Sequence, residues 1–307
     1  MEKLPLVIIN SPTATGKTDL AVHLALECGG EIISADSMQV YRYMDIGTAK
    51  PTMEERNGIR HHLIDVVHPD EEFNAALFAE KARAIISDKA GKTPVFVVGG
   101  TGLYIRALLG GIIETPDADE KIRNHYRMLR DTRGKKYLYD VLLQKDAAAA
   151  SQIQPNDSVR VIRALEVLEQ TGKSITVIQK KHAFAERPYA TYKIGIKVDS
   201  KALKQRIERR TDKMIESGLL DEVKNILEMG YSETLKPLQS LGYKHVIGFL
   251  HKQYDWQNCI DLIKRDTWQY ARRQMTWFKA DKEIEWFRQD SLREIIGNVK
   301  KFWKDHG

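Results

Sequence analysis

Short, almost wholly apolar runs alternate with longer stretches of helical spacing through the first hundred residues. Residues 6–10, 31–35 and 94–98 have the length and continuous apolarity of strands buried on both faces, and residues 16–27 and 74–89 between them carry apolar side chains at helical intervals. Such alternation predicts a parallel sheet with helices on both faces. A further strand, 192–198, comes only after a long gap. Residues 119–179 within that gap read as helices, entered after the Thr115-Pro116-Asp117 break and left near Arg187-Pro188. Helices are predicted again at 200–218, 219–229, 244–251 and 256–279, with Gly218, Gly230 and Gly242 as punctuation. The expected architecture is an α/β core over 1–116 and 191–307, interrupted by an all-helical insertion over 117–190.

The first strand runs directly into Ser11-Pro12-Thr13-Ala14-Thr15-Gly16-Lys17-Thr18 and then a helix, the layout of a phosphate-binding P-loop. Backbone N–H groups of such a loop and the positive end of its helix converge on phosphate oxygens. A lysine such as Lys17 reaches the terminal phosphate, and a hydroxyl such as Thr18 holds Mg²⁺. Ser11 stands where the pattern usually has its first glycine.

Composition narrows the class. With 307 residues, 42% of them hydrophobic, the chain suits one large globular domain with a smaller partner; no segment resembles a signal peptide or a membrane span, and a cytoplasmic location is expected. Cys28 and Cys259 are isolated, without metal-ligand spacing, and read as small apolar residues. The net charge of +6 is concentrated: residues 117–197 hold 16 Lys/Arg against 10 Asp/Glu, and the rest balances. A basic middle suits a polyanion such as RNA, and equally a solvated helical face.

Four further groups carry candidate chemistry. Asp36 lies just past a buried strand, where open parallel sheets bind ligands; it reads as a general base, a Mg²⁺ ligand or a cap on the turn with Ser37. Val98-Gly99-Gly100-Thr101 is a second strand-to-turn junction, in which paired glycines would let a ligand approach the backbone and Thr101 would cap the next helix or donate to a leaving group. That strand has no terminal carboxylate, which weakens an ATPase reading. Arg206 and Arg210, four apart on a helix, form either a phosphate clamp or surface pairs with Glu208, Asp212 or Glu216. Arg265, Trp268, Arg272 and Lys279 share a stripe suited to an RNA backbone and unstacked bases, whereas Trp277 and Phe278 read as core.

Together these segments resemble the tRNA dimethylallyltransferase (tRNA isopentenyltransferase) family over nearly the whole chain. The resemblance rests on the P-loop, Ile33-Ser34-Ala35-Asp36-Ser37-Met38-Gln39-Val40-Tyr41, Met44-Asp45-Ile46-Gly47-Thr48-Ala49-Lys50-Pro51, His61-His62-Leu63-Ile64-Asp65, Val98 to Tyr104, Arg160-Val161-Ile162-Arg163-Ala164-Leu165-Glu166, Gly242-Tyr243-Lys244 and Ala271-Arg272-Arg273-Gln274-Met275-Thr276-Trp277. It implies a P-loop NTPase-like core with an inserted helical tRNA-binding domain. The implied reaction moves a dimethylallyl group from dimethylallyl diphosphate to N6 of adenosine 37 in tRNAs that read codons beginning with U.

On that resemblance Asp36 accepts the N6 proton and Thr101 steadies the bridging oxygen. Thr13, Ala14, Thr15, Gly16, Lys17 and Thr18 hold diphosphate with Mg²⁺ and either Arg206 or Arg210. Asp36, Ser37, Met38, Gln39, Thr101, Arg123, Val159, Arg160, Val161, Ile162, Arg163, Ser240, Leu241, Gly242, Tyr243, Lys244, His245 and Arg272 map to tRNA contacts, with the base flipped into a channel. Val159 departs from the Gln or Arg common among relatives. The expected partners are a tRNA anticodon stem-loop and the prenyl diphosphate, with the chain acting as a monomer. The competing readings are a P-loop nucleotide or small-molecule kinase and a non-catalytic RNA-binding protein.

Overall fold

A computed structural model of the chain describes residues 3–111, 116–182 and 187–306. In chain order its elements are β1 (Leu4–Asn10), α1 (Lys17–Cys28), β2 (Glu31–Ser34), β3 (His61–His62), α2 (Ala75–Lys89), β4 (Val95–Gly99) and α3 (Gly102–Gly110). Then come α4 (Glu120–Lys145), α5 (Ala147–Ala150), α6 (Ser158–Thr171) and α7 (Ile175–His182). The chain returns through β5 (Tyr189–Lys197), α8 (Ser200–Glu216), α9 (Leu219–Glu228), α10 (Tyr243–Leu250), α11 (Trp256–Ala280), β6 (Ile284–Arg288) and α12 (Leu292–His306). Contacts divide it into two compact units, residues 110–186 and the remainder.

The larger unit is built on a six-stranded sheet in the order β3-β2-β4-β1-β5-β6, with every pairing parallel. Strand alternation sends Leu6 and Ile8 to one face, against α2, α3 and the α9–α11 group, and Val7 and Ile9 to the other, against α1 and α12. Both faces are covered, so β1 is apolar at every interior position. Asn74, Asp199 and Asp255 cap α2, α8 and α11 with side-chain oxygens. The edge strands β3 and β6 and the last helix α12 were not among the expected elements. His61-His62 is too short and polar for a strand signal, and Ile284 to Arg288 is half polar, since an edge strand is covered less completely.

Among the described residues the elements of the smaller unit are all helices. Gly134, at φ 88° and ψ 163°, breaks α4 into two segments that fold back toward α5 and α6 around Tyr126, Leu138, Leu142, Val161 and Leu165. Among the described residues no helix is long and apolar enough to cross a membrane. Cys259 is buried and Cys28 half-buried.

Candidate functional site

The loop after β1 is formed by three local devices. Ala14 and Gly16 take positive φ (62° and 86°), and Thr15 Oγ1 donates to Pro12 O at 2.9 Å. Ser11 is fully buried and points sideways: its Oγ accepts the Ile196 amide of β5 at 2.7 Å, replacing the strand carbonyl that β1 no longer supplies. The departure from glycine therefore ties the loop to the sheet.

Two cavities open onto this loop. The larger, of about 370 Å³, is lined by Thr13, Lys17 and Asp36 together with Arg210, Tyr270 and Arg273, within the range of small-molecule sites. The smaller also contains Lys17, Asp36 and Arg210, and adds Thr18, Gln39 and His61. Asp36 follows β2, held there by the Ala35 N–H to Val98 O bond of 2.7 Å. Its Oδ1 accepts the amides of Met38 (2.9 Å) and Gln39 (3.4 Å), so the turn-cap role is real and uses one oxygen. The carboxylate's second oxygen is left to the cavity.

Electrostatics favour an anion. Burial, then the neighbouring Arg210 charge, pushes the Lys17 ammonium down to about 8, with Asp36 working in the opposite direction. Burial also lowers Arg210, again opposed by Asp36. Two cations thus share one carboxylate. Arg210 donates to Thr13 Oγ1 at 2.8 Å, whereas Arg206 is turned to Gln289, which in turn donates to Thr15 O at 2.7 Å. Of the two arginines only Arg210 lines the cavities, and the surface pairs considered from sequence give way to these loop contacts.

The second glycine turn differs from expectation. A Cβ on Gly99 would lie 2.1 Å from Ala35 O, one on Gly100 2.3 Å from Gln274 Nε2, and one on Gly102 2.1 Å from Trp277 Nε1. These glycines admit protein groups, and Gly99 in addition lines the smaller cavity, where a ligand can approach its backbone. Thr101 Oγ1 accepts the Ser37 amide at 3.1 Å, so the hydroxyl is tied to the Asp36 segment. Thr101 itself lines neither cavity; its partner Ser37 lines the larger one. Trp277 is 41% exposed, against the core placement expected of it, while Phe278 is buried.

Ser240, Leu241, Gly242 and Lys244 line the larger cavity, as do Ser37 and Met38. Tyr243 and His245 are buried instead: Tyr243 Oη donates to Glu222 Oε1 at 2.6 Å, and His245 Nε2 pairs with Asp266 at 3.0 Å. Their side chains brace α10 and do not line the cavity. Gln39 Nε2 donates to the carbonyls of Thr48 and Ala49. On α11, Trp268 packs with Leu203, Ile207 and Ala271, while Arg272 and Lys279 are exposed.

In the helical unit, Arg123 and Arg163 are paired with Glu166, which is fully buried, at 2.9 and 2.6 Å. Val161 and Ile162 face the core, a correction to their placement as RNA contacts that follows from α6 having one buried face. Arg160 and Val159 are exposed, Val159 by 78%.

Two residues that organise the site were not named as site residues from the sequence, although Gln274 lies within one of the segments that carry the resemblance. Glu222 accepts the amides of Asp45, Ile46 and Gly47 at 2.6–3.0 Å, which fixes the loop that borders the cavity. Gln274 accepts from Thr13 N and donates to Gly100 O. Lys50, buried, bonds to Asp45, Asp65 and Tyr41 O, which accounts for the spacing of those motif residues.

A parallel sheet that ends in this loop defines a P-loop-like α/β protein whose cavities, at the carboxyl ends of its strands, are lined by Lys17 and Arg210. The IPP transferase family model matches residues 39–281, and the chain belongs to that family. It is 53% identical to tRNA dimethylallyltransferase 2 of Syntrophus aciditrophicus over 90% of this chain and 89% of that one. The protein of the same name from Geotalea uraniireducens is 49% identical with the same coverage. The full-length tRNA isopentenylpyrophosphate transferase of Bacillus halodurans superposes with a TM-score of 0.74 at 37% identity, covering 99% of this chain and 98% of that one. A eukaryotic dimethylallyltransferase acting on tRNA gives 0.81 at 26% identity, over 99% of this chain and 80% of the other.

Proposed function

We propose that this chain is a tRNA dimethylallyltransferase that prenylates N6 of adenosine 37, beside the anticodon of tRNAs reading codons that begin with U. The observation that carries the reading is the shared cavity of Lys17, Arg210 and Asp36, with a carboxylate oxygen uncommitted, in a member of the IPP transferase family. The N6 lone pair attacks C1 of the dimethylallyl group, the C1–O bond breaks, and diphosphate leaves with the bonding electrons. The N6 proton passes to Asp36, whose other oxygen keeps its position through Met38 and Gln39.

Lys17, Arg210 and the P-loop amides offset the charge gathering on diphosphate. Thr101, with its oxygen lone pair engaged by Ser37 N, has its hydroxyl hydrogen available to the bridging oxygen. Thr18 and Asp36 line the smaller cavity together, and no cluster of three His, Cys, Asp or Glu that could hold a metal exists among the described residues. The Thr18 hydroxyl, with diphosphate oxygens and water, would hold Mg²⁺, which would supply charge neutralisation and leave the free Asp36 oxygen to the N6 proton. Adenine must leave its stack to reach Asp36. Arg160 and the basic surface of the helical unit suit support of the anticodon stem, and Arg272 and Lys244 suit phosphate contacts. The protein acts on its tRNA as a cytoplasmic monomer.

The test is transfer of labelled dimethylallyl groups to an A36-A37-A38 anticodon stem-loop with Mg²⁺. Labelled RNA is expected. No label under any condition, together with ATP turnover indifferent to tRNA, would return the loop to a kinase.

A further inference from the structure

The two turns that meet at the site are joined by one carboxamide. Gln274, on α11 and 6% exposed, accepts the Thr13 amide at 2.9 Å and donates to Gly100 O at 2.7 Å. It also contacts the Tyr270 hydroxyl, one turn earlier on the same helix. The carboxamide accepts on one side and donates on the other, which neither an ionised Glu nor a Lys can do. Gly100 does not have a positive φ, so backbone conformation is not what demands glycine there. Space is: any Cβ would sit 2.3 Å from Gln274 Nε2. Gly100 and Gln274 are one device.

What this device connects gives it a role. On one side Thr13 begins the loop that holds the leaving group. On the other, Gly100 precedes Thr101, whose oxygen holds Ser37 N and through it the segment of Asp36. We infer that Gln274 is a positioning residue for prenyl transfer, setting the spacing between the diphosphate loop and the Asp36–Thr101 segment, with Gly100 kept free of a side chain to admit it. The inference rests on the transferase reading above. Gln289 provides the internal comparison, because it holds the same loop at Thr15 O but is bonded on its other side to Arg206 and not to the second turn. A misplacement of about 1 Å between reacting groups costs up to ~10²-fold in rate, without a matching loss of ground-state binding.

The experiment compares wild type, Gln274→Ala, Gly100→Ala, the double variant and Gln289→Ala. Transfer to the stem-loop is followed at saturating substrates, binding of inorganic diphosphate with Mg²⁺ by calorimetry, and folding by thermal midpoint. Gln274→Ala and Gly100→Ala are each expected to lower kcat about 10-fold or more, with diphosphate affinity changed less than about 3-fold. The double variant should be no slower than Gln274→Ala alone, because alanine at 274 removes the group that Gly100→Ala would strike. Gln289→Ala should weaken diphosphate binding more than it lowers kcat. Unchanged kcat in Gln274→Ala beside an active wild type, or additive losses in the double variant, overturns the inference alone. An inactive wild type overturns the transferase reading and this inference with it. If Gln274→Ala does not fold, Gly100→Ala carries the same kcat-against-affinity comparison by itself, and equal losses in both quantities overturn the inference.

Discussion

The two units treat buried charge in opposite ways. In the helical unit Glu166 is fully enclosed, yet two guanidinium groups and the Asp119 amide answer it. The sheet unit does the same away from its cavity, where Lys50 has three oxygen partners and Glu222 four donors. Inside the cavity the balance is withheld: Asp36 is the charge that opposes both Lys17 and Arg210, and the Lys17 ammonium is pushed down by burial first and by Arg210 second. Satisfied charges build structure, whereas a surplus of one sign left in a cavity is affinity held for a ligand of the other sign.

The sharpest break of this comparison is Asp36→Asn, which keeps an oxygen for the Met38 and Gln39 amides but removes the proton acceptor. Transfer is expected to fall by ~10² or more while tRNA binding and the thermal midpoint hold. If transfer were unchanged, Asp36 would be a turn cap only. Glu166→Ala should act in the other direction, costing about 2–4 kcal/mol in the helical unit by removing the buried carboxylate that Arg123, Arg163 and the Asp119 amide share, with diphosphate binding intact. Denaturant unfolding beside calorimetry checks it, and a loss of diphosphate affinity in that variant would contradict the separation of roles.

Within the cavity, Arg210→Ala should weaken diphosphate binding about 10-fold and Arg206→Ala about 3-fold or less, since only the first lines the site; equal effects would return both arginines to the clamp read from sequence. The smallest expected effect is a pH dependence. Because the Lys17 pKa is lowered to about 8, the free protein loses that ammonium as pH rises through 8. Diphosphate affinity should then fall a few-fold over the next unit, with a proton taken up on binding. Lys17→Arg should abolish that fall, and isothermal titration in two buffers of different ionisation enthalpy reads both.

Much of the fold was legible in the chain. The apolar runs at β1, β2 and β4 are buried on both faces and so carry a continuous pattern, and the helical insertion between Pro116 and Arg187 announced itself by a change of period. The edge strands β3 and β6 did not, because half-covered strands are half polar. At the site, the P-loop and Asp36 were named from their motif positions, and Arg210 only as one of a pair with Arg206. Gln274 and Glu222 were not: a glutamine inside a polar helix and a glutamate in a first helical turn look like solvated residues until their distant partners are known.

By itself the sequence determined the local matters: which segments are strands, where the phosphate loop turns, which unit is helical, and the family. Those depend on residues near one another along the chain, through period, turn chemistry and capping. Tertiary structure alone decided which arginine lines the cavity, why residue 100 is glycine, what Ser11 holds and that Trp277 lies partly exposed. Each of these rests on contacts between residues 174 to 197 positions apart, and a hydrogen bond or a steric exclusion at such a distance leaves no trace in local pattern.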